Sequence, residues 1–372
     1  MKAKQKLIFG IIIICSFLTL TTFSFVRGEK IILSKISSFE QCEFAFDVHV
    51  NDDLAIIGDA GGGVWITDIS DLTNPTELSR ILNPGVDHSV YIDNDILFVA
   101  DWLNGLRIIN ISTPSNPQHI SQLLTGFEVG FVVSENDIAC IGDPNLSIVN
   151  VTDLANPSVI YRDLTQTIID GVIVDSTLFC LDLFNGLVIL DICDPTAPFE
   201  LGSWITSGVL YLEIEIKNDV AFITSDAGLK AIDVSNLGNP IEIELNASEK
   251  SAKGLGIEDN LLYLSEDNTD IRVYNISNID DVEEIGHYSE SSITINSIFV
   301  ADGIIYATSE YDGLQIIGPN INTISSSTGT NEAYFEPIFS IFCGSIGIYI
   351  LNSKRKKRLQ ERKATKNMRD KL

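Results

Sequence analysis

The stretch GLVILDICDP, Gly186 to Pro195, is the clearest copy of a phrase that recurs along the chain. Aligned on its first large apolar residue, the phrase picks out Val64, Leu106, Leu146, Leu187, Leu229, Ile271 and Leu314, at intervals of 42, 40, 41, 42, 42 and 43 residues. A period that regular marks one supersecondary unit packed against copies of itself, and a period near forty built from short strands is that of a propeller. The unit around GLVILDICDP shows the content. Gly171 to Val174 and Leu178 to Asp182 are β-rich runs split by a polar turn, and Phe184-Asn185-Gly186 turns the chain into Leu187 to Ile192. Asp194-Pro195-Thr196-Ala197-Pro198 then breaks the pattern, since proline donates no ladder hydrogen bond, and Phe199 to Trp204 forms a fourth run. Similar breaks recur at Asn74-Pro75, Asn116-Pro117, Asn156-Pro157 and Asn239-Pro240. No helical periodicity competes between residues 30 and 318. The expected fold is all-β, a seven-bladed propeller of four-stranded blades over residues 29–318.

The seventh unit reaches Leu314 to Ile317 and stops at Gly318-Pro319-Asn320 without a fourth strand, whereas KIILSKISS, Lys30 to Ser38, precedes the first unit and reads as an orphan fourth strand. The expectation is that Ile31 to Ile36 pairs beside Leu314 to Ile317 and closes the ring, removing an exposed sheet edge. The copies GVWITDISDLTNP (Gly63 to Pro75), GLRIINISTPSNP (Gly105 to Pro117) and GLKAIDVSNLGNP (Gly228 to Pro240) resemble the LVIVD repeat of bacterial and archaeal surface and secreted proteins. The sixth unit departs from it, with Asp270 in place of glycine. The resemblance implies an exported β-propeller and brings no catalytic motif.

The flanks point to a membrane. Lys2, Lys4 and Lys6 precede an apolar run from Leu7 to Val26, so residues 1–28 read as a signal peptide or an uncleaved signal anchor. Ile338 to Leu351 is apolar and is followed by Lys354-Arg355-Lys356-Lys357-Arg358, a stop-transfer pattern. Residues 333–352 are therefore read as a transmembrane helix, 353–372 as a basic cytoplasmic tail, and the Ser/Thr-rich 319–332 as a stalk. The tail carries 10 Lys and Arg against 2 acids, a net +8, while residues 28–353 carry 10 against 49, a net −39. So acidic an exterior excludes nucleic acid as a partner of the propeller, because phosphate binding needs clustered Lys and Arg.

Chemistry is sparse. The chain has no G-x-S-x-G elbow, no phosphate-binding glycine loop and no HExxH, and only four histidines, His49, His88, His119 and His287. The second strands end in Asp59, Asp101, Asp143 and Asp182, a repeated carboxylate better suited to one turn per blade than to a single catalytic ring. First strands border the channel of a propeller, so the candidate ligand contacts are Asp47, His49, His88, Asp170, Glu213, Lys253 and Asn296, with Asp87 and Glu215 beside them. No cofactor is expected, calcium being the candidate should such oxygens bind an ion. Trp102, Phe184 and Tyr311, near blade turns, form a candidate contact surface. Five sequons place glycosylation candidates at Asn110, Asn145, Asn150, Asn246 and Asn275. Asn110, Asn150 and Asn275 stand where other units have Asp68, Asp191 and Asp233, so turn formation explains them equally, and Asn246 is the better acceptor. Cys42, Cys140, Cys180 and Cys193 would be exported, with room for one disulfide of undetermined pairing. These features favour a non-enzymatic cell-surface interaction or adhesion protein binding a protein or glycan. The alternative is a channel-mouth metal-dependent hydrolase or lyase, or a calcium-dependent binder.

Overall fold

The computed structural model describes residues 30–320, apart from 83–86, 103, 143–144, 207, 248, 268 and 292. All its strands lie in a compact unit that begins at Ile31. The signal segment, the stalk beyond Asn320, the transmembrane segment and the tail read from the sequence lie outside the described residues. Among the described residues no helix is long and apolar enough to cross a membrane.

The architecture is all-β and repetitive. Five four-stranded antiparallel sheets follow one another in sequence order, and a sixth, eight-stranded sheet joins two further sets of four. This arrangement is consistent with a β-propeller, each set of four strands corresponding to one blade. The blade that supplied the specimen phrase comprises Ile168–Val174, Thr177–Asp182, Gly186–Asp191 and Phe199–Ile205. Within a blade the strands differ by burial. Second and third strands such as Thr177–Asp182 and Gly186–Asp191 are buried on nearly every residue, because neighbouring blades cover both faces, and so their sequences read as unbroken apolar runs. Fourth strands such as Phe199–Ile205 are half-exposed, and first strands such as Ile168–Val174 alternate between the interblade core and the axis.

The glycine opening each third strand has a backbone reason. Gly63, Gly105, Gly186, Gly228 and Gly313 all hold positive φ, between 67° and 103°, a conformation that glycine adopts at least cost. In blade six, Asp270 stands in that place, outside the left-handed region, and faces Arg272, His287 and Ser289.

First strands touch one another in a cycle. Ala45–Asn51 meets Asp87–Asp93, the contacts continue blade by blade, and Ile295–Ala301 returns to Ala45–Asn51. The N-terminal strand, Ile31–Phe39, supplies the seventh set's fourth strand. It pairs antiparallel with Gly313–Pro319, from Leu33 opposite Pro319 to Phe39 opposite Leu314. Its first residues do more than the sequence suggests, because Ile31 and Ile32 also pair parallel with Gly286 and His287 of blade six. One strand thus laces two adjoining blades, which is why their eight strands form a single sheet. From Ile31 to Pro319 the strands complete one another's ladders and bury interblade cores, so this stretch contains all the contacts it needs to fold by itself.

The two ends of the sheets are chemically unlike. The turn between second and third strands bonds to the loop that enters its blade: Ala60 donates to Phe44, Asp226 to Leu210 and Glu310 to Thr294. These segments make up one face, here the loop face. On the opposite face, the turns after the first and third strands bond to each other, as when Ile69 donates to Asp53 and Ile192 to Ser176. Left-handed Asp and Asn residues, among them Asp52, Asn94, Asn136, Asp175 and Asp259, make the first of those turns. Asp68, Asn110, Asn150, Asp191, Asp233 and Asn275 each accept the N–H two residues on, making the second. The sequons at Asn110, Asn150 and Asn275 are therefore turn elements of the repeat. Both ends of the propeller stretch lie on this Asx-turn face, where Asn320 N–H donates to Ile32 C=O at 2.6 Å.

Candidate functional site

Six of the seven first strands carry a β-bulge at the same place, shown by register shifts at Ala45/Asp47, Asp87/Ser89, Ile168/Asp170, Tyr211/Ile214, Ala252/Leu255 and Ile295/Ile298. A bulge re-aims side chains, and here it turns polar groups toward the axis. Counted back from the following turn, the first strands place Asp47, Ser89, Asp170, Glu213 and Ser297 in one tier. His49, Tyr91, Glu215 and Phe299 form the next.

The first tier holds the blades together. Asp47 accepts N–H groups from Val48 at 2.8 Å and from Val90 of the next blade at 2.9 Å. Asp170 likewise accepts from Gly171 at 2.8 Å and from Ile214 of the next blade at 2.9 Å, and Glu213 from Leu255 of the next at 2.7 Å. Asn296 spans the return to blade one, donating to Ala45 C=O at 2.9 Å. Asp47, Asp170 and Glu213 are thus all interblade acceptors. Lys253 joins this system through its backbone carbonyl, which accepts from Thr224 Oγ1 at 2.8 Å. The His88 side chain lies outside what the structure describes.

These acids keep a sliver of accessible surface on the axis, yet protein encloses them, and burial governs their titration. Burial raises Asp47 above the usual carboxylate range. Burial, with a smaller contribution from the charge of Asp47, pushes Asp170 up to about 7. Burial and the charge of Asp170 push Glu215 up to about 7 as well. Glu213 is raised well above the ordinary value, by burial first and by Asp170 and Asp47 next. The charge of Asp170 thus opposes ionisation of both Glu213 and Glu215, and that of Asp47 opposes ionisation of Asp170 and Glu213. In the second tier His49 lies 5.1 Å from the Tyr91 ring and 5.0 Å from that of Phe299, and burial lowers it to about 4, so it is neutral at pH 7.

The repeated Asp of the second strand is structural. Asp59, fully buried, accepts from the N–H groups of Glu43, Phe44 and Gly61 and from Trp65 Nε1 at 2.8 Å. Asp182 takes Thr167, Phe184 and Asn185 in the same way, and Asp101 takes Asn104 and faces Arg107 at 3.9 Å. Asp143 lies outside the described residues. Among the described residues no group of three or more His, Cys, Asp or Glu side chains is disposed to hold a metal ion. Cys42, Cys140 and Cys180 are buried free thiols, and Cys193 is a free exposed one.

Sequence reasoning placed the acids on the axis but missed the second-tier aromatics Tyr91 and Phe299. It also missed Glu258, which accepts from Asp302 and Gly303 of the next blade at 2.7 Å each. Aligning first strands on their turn residues, rather than on the third-strand phrase, would have found them. Of the turn aromatics, Phe184 and Tyr311 are exposed, and Tyr311 meets Phe44 edge-on at 5.7 Å. Trp102 is half-buried on the same loop face. Asn246 is exposed and Asn145 half-buried.

A profile of the LVIVD repeat matches residues 44–82, 84–125, 180–206 and 213–245. The chain carries LVIVD repeats. Matched segments take in blades one, two and five and the latter part of blade four, where the glycine-led phrase stands. Outside the matches, the third unit begins its phrase on Asn145, the sixth on Asp270, and the seventh lacks its own fourth strand. No curated protein matches the chain. Among solved structures, the computationally designed Ika8 protein superposes with a TM-score of 0.59 at 11% identity, covering 79% of this chain and 100% of that one. Sqt1 of Saccharomyces cerevisiae does so with a TM-score of 0.58 at 11% identity, covering 76% and 83%. At such identity the likeness is one of fold alone.

Proposed function

We propose that this LVIVD-repeat chain is a seven-bladed propeller, exported, held at the cell membrane by a C-terminal span, and used as a non-enzymatic interaction or adhesion module. The observation that carries this reading is the division of labour between the two faces. Both ends of the propeller stretch meet on the Asx-turn face, as the Asn320 to Ile32 hydrogen bond records. The exposed turn aromatics Phe184 and Tyr311 are on the other. A stalk over 319–332 and a span over 333–352 leaving from the first face would present the second outward, and a signal peptide or anchor over 1–28 fits the same topology. The engagement of Asp47, Asp170 and Glu213 with neighbouring backbone supports a rigid platform over a catalytic channel.

Labelling intact cells with a membrane-impermeant reagent tests the topology. In a Cys193→Ser background, which removes the exposed native thiol, a cysteine introduced at Tyr311 should react from outside and one at Lys363 only after permeabilisation; the reverse result would overturn it. A glycan and protein array probed with the propeller stretch tests the activity.

The acids facing one another across the axis favour a second reading, a calcium-dependent binder or a metal-dependent hydrolase or lyase at the channel. Calcium bound to the native state raises the melting temperature, so an unchanged melt at millimolar calcium removes the calcium form. Metal-dependent ester or phosphoester hydrolysis lost in Asp170→Ala would instead replace the interaction reading.

A further inference from the structure

The loop face is itself divided. Over blades one to four it exposes large apolar residues, Leu82 at 74% exposure, Leu124 at 71%, Leu164 at 67% and Ile205 at 69%, with Phe127 after Leu124 and Leu210 after Ile205, and a single exposed acid, Glu128, among them. Leu82, Leu124 and Leu164 follow the fourth strands of blades one to three and Ile205 ends that of blade four, so they succeed one another around half of this face. Isolated surface leucines are ordinary, but a large apolar residue exposed at the same place in each of four successive blades gives one half of the face an apolar character.

Over blades five to seven the same face is acidic. Asp226, Glu244, Glu249 and Asp267 are exposed, and Glu290 and Glu310 half-buried. The one lysine of these loops, Lys250, is paired with Asp267 at 2.6 Å. An apolar arc and an anionic arc, side by side around one opening, are complementary to a chain segment that is apolar along one side and cationic along the other.

We propose that the loop face binds an amphipathic cationic polypeptide segment laid across the channel mouth. Its apolar side rests on Leu82, Leu124, Leu164 and Ile205, and its Lys and Arg side meets Asp226, Glu244 and Glu249. This rests on the interaction-module reading and names the class of partner.

The test uses the self-sufficient stretch 29–320 and two fluorescent peptides of identical Leu and Lys composition, one ordered as an amphipathic helix and one scrambled. By fluorescence anisotropy the ordered peptide binds at least about tenfold tighter than the scrambled one, and raising salt from about 0.05 to about 0.5 M weakens it. Leu82→Ser with Leu124→Ser and Leu164→Ser, all exposed and so compatible with folding, removes about tenfold of that affinity. Glu244→Gln with Glu249→Gln removes most of the salt dependence instead. Equal binding of both peptides, or binding unmoved by the leucine variants, overturns the proposal. Binding of glycans or of uncharged protein segments without the ordered peptide overturns it while leaving the interaction module standing, whereas hydrolytic activity would remove the module itself.

Discussion

Blades one to four and blades five to seven follow the same backbone course but fix it with different polar groups. In blades one, two and four the second strand ends in aspartate, and Asp59 and Asp182 turn inward to collect the N–H groups of the entering loop and the following turn. In the second set that place is held by Ser225, Glu266 and Ser309, and a hydroxyl or small polar residue precedes each of them. Thr224, Ser265 and Thr308 accept the N–H groups released by the first-strand bulge, from Glu213, Gly254 and Ser297. The loop still needs an acceptor, and in blade five it comes from one residue further out, where exposed Asp226 takes Leu210 N–H at 3.0 Å. A shift of one residue moves a carboxylate from the interior to the loop face. The acidity of that face over blades five to seven is in part a by-product of how those blades are fastened.

The largest effect should separate the two sets. Asp59→Ala leaves Trp65 Nε1 and three backbone donors without their acceptor in a site with no exposure, and should cost about 3 to 4 kcal/mol in urea denaturation. Ser225→Ala, at the equivalent place, loses only a bond to Gly228 C=O and one from Ala227 N–H, and should cost about 1 kcal/mol. Equal losses would show that the two fastenings are not different in kind. Next comes the hydroxyl of the second set. Thr308→Val removes the acceptor for Ser297 N–H and the donor to Phe46 C=O, the latter across the junction of the seventh and first blades. It should cost about 2 kcal/mol, whereas Ala100→Ser, at the corresponding place in blade two, should bring no comparable gain.

The axial acids straddle the two sets and give a pH test. Asp170 and Glu215 are raised in the folded protein to about 7, from ordinary values near 4. A carboxylate raised on folding binds its proton more tightly in the native state. The contribution of these two groups to stability is therefore fullest at low pH and declines as pH rises from about 4 through about 7. The decline should amount to about 1 to 3 kcal/mol between pH 5 and pH 8. Asp170→Asn should flatten the curve while one carbonyl oxygen still accepts from Ile214. A wild-type stability that rises across that window would contradict the repulsion inferred across the axis.

Much of this was legible in the sequence because a repeat reports its own construction. The period, the glycine before Leu187, the Asn-Pro breaks and the orphan strand at Lys30 each recur or go missing in register, and the pairing of Phe39 with Leu314 follows from that pattern. The parallel contact of Ile31 with Gly286 does not, since nothing in IILSK distinguishes one neighbour from two. The roles of Asp47, Asp170 and Glu213 were hidden for a related reason. Their partners are backbone N–H groups of the next blade, which carry no side-chain signature, so the residues read equally as ligand contacts or as fasteners.

The smallest effect concerns a position at which the two sets agree. Asp68, Asn150, Asp191 and Asp233 all accept the N–H two residues on through the same side-chain oxygen, and Asn275 does so in blade six. Asparagine and aspartate differ there in charge but not in the acceptor presented to the turn. Asn150→Asp and Asn275→Asp should each change stability by less than about 0.5 kcal/mol, one in each set. Both changes also delete a sequon, whereas Asn246→Asp deletes one in an exposed connection between blades. A mobility shift on gels of protein made in a glycosylating host, present in Asn246→Asp and absent in the other two, would separate a residue kept for a glycan from residues kept for a turn.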